Sequence, residues 1–406
     1  MRVKGFLQDA LGASRVTKAR RELIEAGDAN APYRDHVRSL AQELHPAETR
    51  LVVTQVENVS AHARRLTLRP EEGYVLPPFQ AGQYLSLDLK VGRTLTTRPY
   101  SISSAPFEAR CGADSVVQVT VKDGIRGQGF AANWLYGLAR PGDHFVAHLP
   151  FGQFFYEPLR DAQHVVALAG GSGITPFLSM AREVSHGTLD MRLTILYGVT
   201  SADDAIAREE LDAIAASCER VSVTYVVSGD GNEPLPAGFQ RGLLSADLIL
   251  LHSNGLPSQG QTSYFVCGPQ AMYEYVLEQL AQLEVPERRI RTEVFGAKRD
   301  PRQNEDYPGP ASAQSFRLTV RRGLEQQVIP ASSLEPLAVA LERAAIPNHT
   351  RCRSGACGYC RCRLLEGEVY VPSQGDGRRA ADKQFGYVHA CSAWPLGDCT
   401  IEVPIV

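Results

Sequence analysis

Four cysteines near the C-terminus restrict this chain more than any other feature. Residues 352–360 read CRSGACGYC, a C-x4-C-x2-C run, and Cys391 follows after 30 intervening residues. Three thiolates from one wrapping loop and a fourth from a distant strand or turn is the ligand spacing that suits a [2Fe–2S] cluster. Gly355 and Gly358 fit a loop whose backbone curls tightly and aims N–H groups at sulfur. Zinc competes for such thiols, but its structural sites prefer paired C-x2–4-C knuckles, and here three ligands share one loop. Cys352, Cys357, Cys360 and Cys391 are therefore the candidate metal ligands. Cys362 and Cys399 are left as small buried residues, since four thiolates complete the cluster. The other three of the nine cysteines, Cys111, Cys218 and Cys267, are scattered.

At 406 residues the chain has room for two to four domains. A hydrophobic fraction of 44% and a charged fraction of 21% exclude disordered, collagen-like and coiled-coil readings. A net charge of −3 supplies no basic field for nucleic acid, so that partner is not expected. The longest apolar stretch, Val165 to Leu178, is interrupted by Gly170, Gly171, Gly173 and Pro176, so no transmembrane segment is expected. The opening MRVKGFLQDALGAS carries Asp9 within its short apolar part and makes a poor signal peptide, which gives a cytoplasmic expectation.

The periodicity divides the chain into segments. Residues 1–46 read as a charged helical extension, with Val37, Leu40, Ala41 and Leu44 on one face. That face is expected to pack on a neighbour. A membrane-surface or partner-docking role is the weaker alternative, because 7 Lys/Arg against 5 Asp/Glu through His36 is a marginal excess. From 47 to 157 the period is two, as in Leu85, Leu87 and Leu89, and several short strands predict a small antiparallel β-barrel. From 158 to 299, apolar strands alternate with helical stretches, predicting an α/β domain with a parallel sheet. Residues 300–313 are Pro-rich and nearly free of apolar side chains, a linker. Residues 314–406 form the last, α+β domain, which carries the cysteine loop.

Residues 315–406, including CRSGACGYCRCRLLEGEV, resemble a plant-type ferredoxin domain of β-grasp type. Residues 98–104, RPYSISS, resemble the flavin motif of the ferredoxin–NADP⁺ reductase superfamily. The resemblance implies that Arg98 pairs with a flavin phosphate, Tyr100 packs on the flavin ring beside Pro99, and Ser101 hydrogen-bonds near the reactive nitrogen. A guanidinium fork suits phosphate and an aromatic face suits a planar ring. Residues 127–135, GQGFAANWL, are similar to the family's pyrophosphate-binding helix start, which points to Gly129 and Ala132. Ala132 stands where FAD members carry Ser, so the amides remain without the hydroxyl; FAD is preferred to FMN. Residues 150–154, PFGQF, are similar to the family's barrel-closing turn.

In AGGSGITP, residues 169–176, a Gly-rich turn joins a strand to a helix, with Thr175 expected as N-cap and Pro176 as first helical residue. The turn resembles the family's nicotinamide site, which implicates Gly170, Gly171 and Gly173. Cys267, Gly268 and Pro269 resemble its CGP motif, which puts Cys267 beside the nicotinamide. Glu293 to Gly296 resemble its closing E-x-F-G, which puts Phe295 near the flavin. Tyr197 is expected among the cofactor-binding residues, and NADH or NADPH preference is expected to be set after it, where Asp203 and Asp204 suit a ribose hydroxyl and Arg208 a 2′-phosphate. Ser101, Cys267 and Glu293 are the candidate catalytic residues.

The module order resembles reductase components of two-component oxygenases and demethylases. It implies electron flow from NAD(P)H to FAD, to [2Fe–2S], to a partner metalloprotein. The redox logic is coherent, because a flavin takes two electrons as hydride and a [2Fe–2S] centre takes one at a time. A diaphorase-like enzyme with broad acceptors, a donor to an anaerobic metalloenzyme and a redox sensor are the alternatives.

Overall fold

The computed structural model describes residues 5–27, 35–124, 129–229, 234–294 and 300–405. It divides into two units, Met1–Leu44 and His45–Val406. The first consists of helices α1 (Phe6–Ala26) and α2 (His36–Leu44). Within this unit the α2 side chains Val37, Leu40 and Leu44 are exposed. Among the described residues no helix is long and apolar enough to cross a membrane.

The second unit opens with strands β1 (Thr49–Ser60), β2 (Ala63–Pro70), β3 (Tyr84–Val91), β4 (Thr94–Ser101) and β5 (Val117–Lys122), helix α3 (Phe130–Leu138) and strand β6 (His144–Phe151). They form an antiparallel sheet in the order β4-β3-β6-β1-β2-β5, which an Ile102–Val119 bridge helps to close. Period-two alternation sends Leu85, Leu87 and Leu89 inward onto Leu51, Leu66 and Val119. The prolines fall where a missing N–H is tolerated, as Pro99 does on edge strand β4.

Next come β7 (His164–Gly170), α4 (Thr175–His186), β8 (Arg192–Val199), α5 (Arg208–Ser217), β9 (Val221–Val227), β10 (Phe239–Arg241), α6 (Ala246–Leu251), β11 (Thr262–Cys267), α7 (Gln270–Gln282) and β12 (Ile290–Glu293). The strands form a parallel sheet ordered β10-β9-β8-β7-β11-β12. In β7, Val165 and Ala167 face one core and Val166 and Leu168 the other, so both faces are covered.

The last module contains β13 (Ser315–Arg322), β14 (Glu325–Ser332), α8 (Leu337–Arg343), β15 (Arg361–Glu366), β16 (Val369–Tyr370), α9 (Ala380–Gln384), β17 (Tyr387–His389), β18 (Trp394–Pro395) and β19 (Cys399–Glu402). Its main sheet is ordered β14-β13-β19-β15-β17, and α8 packs on it through Leu337 and Leu341. The expected linker is not a loose tether along its whole length. Asp306 accepts hydrogen bonds from the Tyr370 hydroxyl and, at 2.9 Å, from the Ser373 N–H, while the Tyr307 hydroxyl donates to the Ser333 carbonyl at 3.2 Å.

Two charged networks tie the first two modules together. Arg182 on α4 donates to Glu210 on α5 at 2.5 Å and to Glu108 at 2.9 Å, and Arg65 on β2 reaches the other Glu210 oxygen at 2.6 Å. Arg291 on β12 donates to Asp161 at 2.9 Å and to the Gln153 carbonyl at 3.1 Å.

Candidate functional site

In the parallel sheet the chain runs from β7 outward to β10 and then returns to the other side of β7 at β11. A crevice at the carboxyl ends of the strands flanking such a reversal is where open α/β sheets bind ligands. Those ends are Gly170 and Cys267, and Cys267 lies in register with Ala169, the residue before Gly170. The Gly-rich turn sits against the CGP segment so closely that side chains are excluded. A Cβ on Gly173 would fall 2.1 Å from the Cys267 carbonyl oxygen, and one on Gly268 would fall 3.2 Å from the Gly170 Cα.

Two expectations about this turn are corrected. Thr175 is not the N-cap: Gly171–Ile174 forms a 3-10 turn running straight into α4, so Thr175 is already helical and its hydroxyl donates to the Ser172 carbonyl at 2.9 Å. Pro176 is thereby the second helical residue. Tyr197 is a wholly buried core residue, not a side chain facing the crevice. Its hydroxyl donates to the Gly171 carbonyl at 2.9 Å and accepts from the Ile206 N–H at 3.1 Å, so it braces the turn from behind. Of the residues expected to select the nucleotide, Asp204 lies 3.9 Å from Lys122, and Arg208 pairs with Asp212 at 3.4 Å and lies over the Phe239 ring.

The candidate catalytic residues come together. Cys267 and Glu293 are register partners on β11 and β12, and the Ser101 hydroxyl, at the end of β4, donates to Glu293 at 3.4 Å. Burial pushes both the Cys267 thiol and the Glu293 carboxyl well above their ordinary values, although the Ser101 hydrogen bond pulls the carboxyl the other way. Gly152 in the barrel-closing turn approaches both Tyr84 and Glu293, with its built Cβ 2.9 Å and 3.4 Å away. Phe295 and Gly296, and Gly127 and Gln128, lie outside the described residues.

Along β4, Arg98 donates to the Thr96 hydroxyl and, at 2.8 Å, to the Thr97 carbonyl. Tyr100 packs against the barrel core, and burial pushes its hydroxyl up to about 12. Gly129 caps α3 at φ 103, a left-handed value that disfavours side chains. Asn133 fixes the same helix start by accepting from the Gly124 N–H at 2.6 Å. Ala132 lies half-buried against the barrel core, so this helix end offers backbone amides without a neighbouring hydroxyl.

In the last module, Cys352, Cys360 and Cys391 are buried and Cys357 is half-buried. The Cys352 sulfur accepts N–H groups from Ser354 and Cys357, each at 3.4 Å. The four thiols lie close enough to perturb one another's protonation, Cys352 with Cys357 and Cys391, and Cys391 with Cys360. Four converging thiols with backbone N–H groups aimed at one of them fit a [2Fe–2S] cluster, which takes thiolate ligands and hydrogen bonds to sulfur. Among the described residues no three His, Cys, Asp or Glu side chains meet as a single bound ion would need. Cys362 and Cys399 lie in the core behind the loop. Gly355 and Gly358, at φ 82 and 76, have the left-handed backbone expected of the curl.

One juxtaposition was absent from the sequence reading. Cys352 and Cys357 line the same cleft as Tyr84, Phe151, Gly152 and Glu293. Phe151 meets Tyr359 edge-on at 5.3 Å, and Arg351 lies over both rings at 5.8 and 5.6 Å. The cluster loop therefore abuts the closing turn of the barrel. These partners lie some 200 residues apart in sequence, and no local pattern records the pairing.

Comparison with known proteins bears on the whole arrangement. Residues 50–156 match the oxidoreductase FAD-binding domain, 167–278 the oxidoreductase NAD-binding domain and 323–396 the 2Fe-2S iron-sulfur cluster binding domain. The chain is similar to the carnitine monooxygenase reductase subunit of Escherichia coli K12, at 27% identity over 78% of this chain and 86% of that one. It is also similar to the glycine betaine monooxygenase reductase subunit of Pseudomonas aeruginosa UCBPP-PA14, at 26% identity over 80% and 87%. Phthalate dioxygenase reductase shares the fold, with a TM-score of 0.61 at 21% identity over 88% of this chain and 98% of that one. With its three domains matched in order, the chain belongs to the ferredoxin–NADP⁺ reductase superfamily, as an FAD- and NAD(H)-dependent oxidoreductase with a C-terminal plant-type [2Fe–2S] domain.

Proposed function

We propose that the chain is the reductase component of an oxygenase system and delivers electrons to a separate oxygenase protein. The reading is carried by the shared cleft, in which Glu293, hydrogen-bonded to Ser101 and paired in register with Cys267, lies around one opening with the cluster ligands Cys352 and Cys357. The printed names of the carnitine and glycine betaine reductase subunits supply the oxygenase class. FAD, when bound, accepts two electrons as hydride and releases them singly to a one-electron [2Fe–2S] centre.

In this proposal the protein binds, orients and holds protons. The modules span 47–157, 158–299 and 314–406. Arg98 and the amides at Gly129 hold the flavin phosphates, and Tyr100 covers the ring. The amides of the Gly170–Gly173 turn take a nucleotide phosphate while Cys267–Pro269 bounds the nicotinamide pocket. The buried Glu293 carboxyl, raised by burial, accepts a hydrogen bond from the Ser101 hydroxyl at Oε2 and is placed to exchange a proton with it. The engagement of Arg208 by Asp212 and Phe239 favours NADH over NADPH. We place the protein in the cytoplasm, where cysteine thiols stay reduced and free to ligate a cluster. Denatured protein should release FAD, and NADH should drive reduction of cytochrome c. Release of FMN alone, or transfer confined to two-electron acceptors, would contradict the proposal.

A further inference from the structure

Glu342 lies at the end of α8 in the iron–sulfur module and is 4% exposed. A carboxylate so placed needs cationic partners, and it has two. Arg353 grips it with both terminal nitrogens, one in a very short contact and the other at 3.3 Å. Arg98 on β4, in the barrel, lies 3.8 Å from its Oε2. The boundary is pinned further where the Thr97 hydroxyl donates to the Thr350 carbonyl at 2.7 Å and Arg353 reaches the Thr97 carbonyl at 3.4 Å. Arg353 adopts φ 59, a left-handed backbone that costs a non-glycine residue energy, so the fold holds this guanidinium in place against local preference.

Two guanidiniums around one carboxylate leave a net positive charge at the mouth of the barrel. Without Glu342 the two cations would repel, and Arg98 would lose its charged partner across the boundary while keeping its contacts with the Thr96 hydroxyl and the Thr97 carbonyl, so its head would be held less firmly. We propose that Glu342 is a positioning residue for the flavin phosphate, fixing Arg98 across the domain boundary so that the iron–sulfur module completes the flavin site. This rests on the reading of Arg98 as the phosphate partner.

The test is flavin affinity of the full chain, by quenching of flavin fluorescence, with FAD and with riboflavin, which lacks phosphate. Arg98→Ala should weaken FAD selectively. Glu342→Gln should weaken FAD about five- to tenfold and leave riboflavin unchanged, because it acts only through the guanidinium. If Glu342→Gln fails to keep the visible absorbance of the cluster, Arg353→Lys, which retains charge without the fork, should give the same selectivity with a smaller loss. Unchanged or tighter FAD binding in Glu342→Gln, or equal loss for FAD and riboflavin, overturns the inference. An Arg98→Ala protein with no selective loss instead overturns the reading beneath it, and the inference with it.

Discussion

Replacing Gly173 by Ala should damage hydride entry through sterics alone. Its Cβ would sit 2.1 Å from the Cys267 carbonyl oxygen, 2.4 Å from the carbonyl carbon and 2.7 Å from the Gly268 nitrogen. All three are backbone atoms and cannot rotate away. Ordinary contact begins near 3.4 Å, so the turn and the CGP segment must part by more than 1 Å. Displacement of about 1 Å in a positioned site is enough to cost about 100-fold in rate. Gly170→Ala is the internal control. Its Cβ would meet the Met272 sulfur at 2.3 Å, the far end of a flexible side chain, with Pro269 Cδ at 3.0 Å, so a loss of only a few-fold is expected. Anaerobic stopped-flow reduction of the flavin by NADH, in protein retaining both chromophores, measures the effect. A Gly173→Ala variant reduced at the parental rate, or a Gly170→Ala variant equally impaired, would refute the close approach as the determinant.

The Arg182–Glu210–Arg65 network predicts both a stability loss and its pH dependence. Glu210 is 28% exposed on its side chain, so Glu210→Gln should cost about 2 kcal/mol, below the 3–5 kcal/mol of a fully buried pair. Burial alone would raise the Glu210 carboxyl, but the hydrogen bonds and charge of Arg182, with Arg65, hold it below its ordinary value. Its stabilisation is therefore complete above the ordinary carboxylate range and lost as pH falls toward the folded value. The gap in melting temperature between parent and variant should hold from pH 6 to 8 and close below about pH 4.5; a gap that widens in acid would contradict it. Arg351, 7% exposed beside Cys352 and with its Nε lacking a hydrogen-bond partner, should raise the cluster potential above the roughly −400 mV of plant-type ferredoxins. Arg351→Gln should lower it by on the order of 50 mV, and a potentiometric titration showing no shift would count against this.

The legible parts were those written in local chemistry. The C-x4-C-x2-C spacing located the thiol loop because one loop supplies three of the four sulfurs, and RPYS, the Gly-rich turn and CGP are each contiguous. Tyr197 was misread because a strand-end aromatic beside a ligand turn looks the same in sequence whether it faces the crevice or braces the turn from the core. Thr175 was misread because the 3-10 turn before it supplies the helix start that its hydroxyl was expected to cap. The linker contacts of Asp306 and Tyr307 depend on Tyr370 and Ser333, and the Thr97–Thr350 pairing joins residues 253 apart. Such contacts are fixed by tertiary packing and leave no period in the sequence.

The central claim is that electrons enter at the flavin and leave through the cluster. Cys360→Ser exchanges a soft thiolate for a hard hydroxyl and should destabilise the cluster without disturbing Ser101, Cys267 or Glu293. Ferricyanide, which takes electrons directly from flavin, and cytochrome c, which reads one-electron exit, should be assayed on the same preparation with NADH. The account predicts that ferricyanide reduction survives while cytochrome c reduction collapses. Loss of both with FAD still bound, or of neither, would contradict it.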